Sequence, residues 1–114
     1  MRYGVFSDVH ANWEALDASL KVLEKQGVDE WICCGDLVGY GPDPNLCLDR
    51  IRGLRKASVI CGNHDLAVIG RIELDWFNQY ARAAVLWTGM NLSEENRRFL
   101  EGLTAKLETP KFTM

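Results

Sequence analysis

Three short apolar runs, each broken off by a polar cluster that opens with Ser or Gly, set the rhythm of this chain. Tyr3-Gly4-Val5-Phe6 gives way to Ser7-Asp8-Val9-His10, Trp31-Ile32-Cys33-Cys34 to Gly35-Asp36, and Ser58-Val59-Ile60-Cys61 to Gly62-Asn63-His64-Asp65. Short apolar runs bounded by turn formers read as buried strands. The endings recur at near-equal intervals: Asp36 lies 28 residues beyond Asp8, and Asn63 lies 27 beyond Asp36. Each interval has the length of one strand-plus-helix unit. In a parallel sheet with right-handed crossovers, equal units bring every strand C-terminus to one edge, where open α/β sheets bind ligands. Asp8, His10, Asp36, Asn63 and His64 are therefore expected to converge.

The intervals carry helical periodicity. Asn12 is a good N-cap, and Trp13, Leu16, Leu20 and Leu23 repeat at helical spacing until Gly27 closes the helix. A strand follows over about residues 29–34. After Gly39-Tyr40-Gly41 a second helix starts near Pro44, with Leu46, Cys47, Ile51 and Leu54 on one side. Arg50, Arg52, Arg55 and Lys56 occupy its other side, read as a solvated face rather than a phosphate grip. Past Asp65 the strands stop. Phe77, Tyr80, Ala81, Ala84, Val85 and Thr88 fit one long helix, and Ser93 with Glu94 and Glu95 caps another that buries Phe99, Leu100 and Leu103. Trp76, Phe77, Tyr80 and Trp87 are expected as core, without chemistry. Residues 109–114 read as a turn entering a fourth strand. The pattern is an α/β chain, βαβαβ followed by a helical pair.

Composition narrows the class. At 114 residues the chain is one domain at most, spanning 1–114, and small for an α/β enzyme whose sheet is covered on both faces. A formal charge of -3 with 47% hydrophobic residues gives no electrostatic case for nucleic acid or an anionic membrane. No basic segment followed by an apolar one opens the chain, and no apolar run approaches membrane length, so the reading is cytoplasmic. Cys33, Cys34, Cys47 and Cys61 show no CxxC pairing and are expected as reduced core residues.

Carboxylates and imidazole suit first-row divalent metals, and a cluster without cysteine argues against a closed structural zinc site. Asp36, central of the three endings, is the natural bridge between two cations. A two-metal site clamps the oxygens of a phosphoryl group and acidifies a bridging water to hydroxide. His64, beside the ligand Asn63, could hand a proton to the leaving alkoxide. Each motif alone is common. Three of them at equivalent positions after three strands, holding both histidines of the chain, are not.

Together Asp8-Val9-His10, Gly35-Asp36 with Gly39-Tyr40-Gly41, and Gly62-Asn63-His64-Asp65 resemble the first three signature blocks of the calcineurin-like metallophosphoesterases. The resemblance implies the N-terminal half of a four-layer α/β/β/α sandwich. It also implies two divalent metals (manganese, iron, zinc or nickel) on Asp8, His10, Asp36 and Asn63, with Asp36 bridging and His64 as proton donor. The activity implied is hydrolysis of a phosphodiester or phosphomonoester. No Asp-Arg follows Gly35-Asp36, unlike the protein phosphatase branch, and this favours the small prokaryotic phosphodiesterase-like branch.

The later histidine-bearing blocks of such enzymes have no counterpart here, so the chain is expected to be truncated at its C-terminus and its isolated activity is in question. The competing reading is a non-catalytic scaffold or interaction module on the same fold. A nucleotide-binding domain is disfavoured, because Gly39-Tyr40-Gly41 lacks the G-x-G-x-x-G continuation. A half-sandwich would expose an apolar sheet face, from which self-association is expected.

Overall fold

Local signals account for most element boundaries. The computed structural model describes all 114 residues as strands β1 (Tyr3–Phe6), β2 (Glu30–Cys33) and β3 (Ala57–Val59) and helices α1 (Trp13–Lys25), α2 (Pro44–Arg52), α3 (Asn63–Val68), α4 (Gln79–Asn91) and α5 (Glu94–Glu101). Asn12 caps α1 by accepting the Ala15 N–H, Pro44 opens α2, and the Ser93 hydroxyl caps α5 by accepting the Asn96 N–H. The strands are parallel in the order β1-β2-β3, with Val5 opposite Ile32 and Ile32 opposite Ser58.

Because the order never reverses, right-handed crossovers put both connecting helices on the same face of the sheet. That face carries the core. Trp31 and Cys33 are buried on it with Leu16 and Leu20 of α1, Leu48 and Ile51 of α2, Val85 of α4 and Leu100 of α5. The other face is largely open: Val5 is 57% exposed and Ile32 and Ser58 only partly covered.

Four expectations need correction. Cys34 is exposed rather than core, since it follows buried Cys33 and successive strand residues point to opposite faces. Trp76, Tyr80 and Trp87 are exposed; the buried stripe of α4 is Ala81, Val85 and Thr88, so the periodicity was helical but the aromatic residues lie off the inner face. Residues 109–114 do not join the sheet. Leu107 and Met114 exchange backbone hydrogen bonds, and the resulting hairpin lies against the open face through a Tyr3–Phe112 ring contact at 5.5 Å and a Lys111–Glu30 ion pair at 3.6 Å. Finally, Asn63 and His64 do not lie in a loop: they open helix α3.

Candidate metal centre

Pairing between the first two strand–loop units continues beyond the strands. The N–H groups of Asp8, His10 and Ala11 donate to the carbonyls of Gly35, Asp36 and Leu37 at 3.0, 3.0 and 2.9 Å. This extension fixes the loop backbones in an unusual form. Asp8, His10 and Asp36 adopt left-handed φ values of 55°, 47° and 54°. Such conformations are sparsely populated by residues other than glycine and cluster where surrounding structure enforces them, commonly at functional sites.

The result is a compact donor set. One ligand atom each from Asp8, His10 and Asp36 lie within 4.8 Å of one another. Every side chain is also held by a hydrogen bond on its far side. Asp8 Oδ2 accepts from the Ser7 hydroxyl at 2.6 Å, and Asp36 Oδ1 accepts the His64 N–H at 3.0 Å. His10 Nδ1 lies 3.1 Å from the Val38 carbonyl, which can only accept; Nδ1 therefore carries the proton, and in the neutral ring Nε2 keeps the lone pair, 3.5 Å from Asp8 Oδ1. A backbone carbonyl on one imidazole nitrogen is the usual way a protein orients a metal-binding histidine. Asp8 is held below the ordinary carboxylate range, chiefly by the Ser7 hydroxyl, which with His10 outweighs the opposing desolvation. Two carboxylates and an oriented imidazole fit a divalent cation.

The third strand–loop unit arrives through α3. Gly62 abuts Asp36 so closely that a Cβ there would lie 2.2 Å from Asp36 Oδ1, so only glycine allows the approach. Asn63, the first residue of α3, is exposed beside this contact. The His64 ring packs 4.8 Å from His10, 4.9 Å from Tyr40 and 4.9 Å from Phe77, and its Nδ1 is buried without a hydrogen-bond partner. Burial, with His10 adding to it, lowers the His64 pKa against the pull of Asp36 and Asp8. His64 is therefore neutral at pH 7.

Asp65 holds the unit together. Fully buried, it accepts the N–H groups of Leu37 and Val38 through Oδ1 at 2.9 and 3.1 Å, and of Gly62 through Oδ2 at 2.9 Å. Burial raises its pKa to about 6 while the three N–H donors pull the other way. One side chain thus ties the loop after β2 to the start of α3. Of the residues expected to converge, the structure groups Asp8, His10 and Asp36, sets His64 beside them and leaves Asn63 exposed at the start of α3. Sequence reasoning missed the supporting roles of Ser7 and Asp65. A carboxylate three residues after Gly62 is the N3 signal of a capping box, through which Asp65 could have been found. The three buried cysteines stay protonated thiols: burial pushes Cys33 and Cys47 up to about 12 and raises Cys61 as well.

The chain is similar to several known proteins. An uncharacterized protein of Methanocaldococcus jannaschii is 45% identical over 104 residues, which are 91% of this chain and 42% of that protein. The crystal structure of a metallophosphoesterase from Sphaerobacter thermophilus is matched over 99% of this chain and 45% of that one, with 45% identity and a TM-score of 0.79. A hypothetical protein from Pyrococcus horikoshii shares the fold, with a TM-score of 0.83 over 92% of this chain and 48% of that one at 21% identity. The chain thus spans less than half the length of each. The model of the calcineurin-like phosphoesterase superfamily domain matches residues 1–112, and the chain belongs to that superfamily.

Proposed function

We propose that this chain carries the metal-binding half of a phosphoesterase that hydrolyses a phosphodiester or phosphomonoester. Asp8, His10, Asp36 and Asn63 would hold the divalent metals, with Asp36 as the shared ligand, and His64 would deliver the proton to the leaving oxygen. The observation that carries this reading is the Asp8–His10–Asp36 cluster, whose three members share left-handed backbone and one far-side hydrogen bond each. When bound, a pair of divalent cations such as manganese, iron, zinc or nickel neutralises phosphoryl oxygens and makes a water acidic enough to attack near neutral pH.

The chain's own residues do the rest. Asp8 and Asp36 supply negative charge at fixed positions, and the Val38 carbonyl keeps His10 Nε2 aimed at them. The His64 ring sits beside the cluster, neutral at rest because burial holds its pKa down. An anionic ester docked next to it raises that pKa again, so the proton donor is recruited as the substrate arrives.

The test is manganese-dependent hydrolysis of a chromogenic phosphodiester by the purified chain, with Asp36→Ala as control. Turnover that requires manganese and vanishes in the variant is expected. Metal bound at the cluster with no turnover of diester or monoester would favour a non-catalytic scaffold.

A further inference from the structure

Tyr40 is the least economical residue in the site. It is the central residue of a γ-turn: the Gly41 N–H donates to the Gly39 carbonyl at 2.8 Å across it, and its φ is 64°. The γ-turn with positive φ is rare and strained, and a bulky side chain in that region is an outlier. The turn cannot relax toward the site. The Gly41 N–H also donates to the His10 carbonyl at 2.9 Å, and a Cβ on Gly41 would lie 2.3 Å from that oxygen. The strain holds a large ring at the mouth of the metal cluster. His10 meets it edge-on at 5.2 Å, and His64 packs on it at 4.9 Å. Yet Tyr40 is 51% exposed and contributes little core.

Its free side borders a cavity of ≈ 560 Å³ that also reaches Asp8, His10, Asn12 and Pro42. Two members of the donor set, Asp8 and His10, thus line the same cavity as an aromatic ring and a proline. A phosphoester placed with its phosphoryl group at Asp8 and His10 has its organic substituent against Tyr40. Aromatic rings recognise planar π-systems by stacking, without sequence-like hydrogen-bond readout.

Resting on the phosphoesterase reading, we propose that Tyr40 is a specificity-determining residue that stacks the aromatic or heterocyclic group of the substrate, making aryl and nucleoside phosphate esters the preferred class. The phosphate end is held by the cluster and the planar end by the ring.

The experiment measures binding by calorimetry to the manganese-loaded 114-residue chain, using adenosine monophosphate, phenyl phosphate and methyl phosphate as probes. The two aromatic esters should bind roughly 5- to 150-fold more tightly than methyl phosphate. Tyr40→Ala should erase that difference by weakening the two aromatic esters selectively, while Tyr40→Phe should retain it. Equal affinity for all three esters in the wild type would overturn the proposal while leaving the phosphoesterase reading intact. So would a Tyr40→Ala loss that falls equally on methyl phosphate, which marks the ring as a support for His10 and His64. A Tyr40→Phe loss as large as that of Tyr40→Ala would replace stacking by a hydroxyl contact and overturn it too. Absence of methyl phosphate binding to the metal-loaded chain would remove the underlying reading, and the proposal with it.

Discussion

The two edges of the sheet carry cavities of similar size and opposite character. Where the strands end, ≈ 560 Å³ opens beside Asp8 and His10; where they begin, ≈ 490 Å³ is lined by Glu24, Asp29, Arg50, Arg55 and Lys56 among others. At the starting edge each acidic group has its own partner, with Arg50 on Glu24 at 2.6 Å and Asp29 accepting the Arg2 backbone N–H at 2.7 Å. These are exposed pairs, worth little to stability. At the ending edge the fold instead holds two carboxylates and an imidazole lone pair together on left-handed backbone. Volume does not distinguish the edges. The donor set does, because two carboxylates beside an imidazole lone pair offer a divalent cation ligands that an ion pair such as Arg50–Glu24 does not.

The sharpest way to break the contrast is to remove the buried brace from one edge and an ion pair from the other. Asp65→Ala strips the partner from two buried N–H groups and a half-buried one and should lower unfolding free energy by roughly 3 kcal/mol or more in urea denaturation. Glu24→Ala should change it by less than about 1 kcal/mol. Equal effects would mean that the bracing is not what separates the two edges.

A glycine pair probes the same difference through metal affinity. Gly41→Ala places a Cβ 2.3 Å from the His10 carbonyl and must displace His10, so manganese affinity should fall about 10- to 100-fold. Gly53→Ala, at the end of α2, meets nothing closer than 3.5 Å and should leave it unchanged. Titration of both variants with manganese decides between them.

The open sheet face makes a further prediction. With Val5 57% exposed on an edge strand, we propose that the chain self-associates at micromolar concentration, and that Val5→Lys reduces this. Light scattering showing a monomer for both proteins would contradict it.

The smallest expected effect is a pH dependence. Burial lowers the His64 pKa from 6.5, so between the folded value and 6.5 the unfolded chain binds more protons. The His64 contribution is present above pH 6.5 and is lost as pH falls below it. A His64→Phe variant should flatten that part of the urea midpoint curve. An NMR titration placing His64 above 6.5 would reverse the sign.

How much of this was legible in the sequence depended on whether the signal was local. The first strand at Tyr3–Phe6 and the caps at Asn12 and Ser93 follow from alternation and side-chain chemistry alone. Asp8, His10 and Asp36 were legible as a group because parallel strand ends share an edge whatever the details. Helix α3 was not: six residues beginning Asn63-His64 read as a turn by propensity, and the structure makes them helical through the buried Asp65 cap. The exposure of Tyr80 and Trp87 was hidden because helical spacing identifies a stripe without saying which stripe faces inward. The strained turn at Tyr40 has no sequence mark beyond its flanking glycines, since it is set by contacts 30 residues away at His10.

The central claim is that Asp8, His10 and Asp36 bind a divalent cation, and it is tested most directly by titrating manganese into the chain and into Asp8→Ala, Asp36→Ala and Asp29→Ala under paramagnetic resonance detection. The account predicts affinity weakened by more than about tenfold in the first two and unchanged in Asp29→Ala, whose carboxylate stands at the opposite edge. Indistinguishable binding by all four proteins would contradict it.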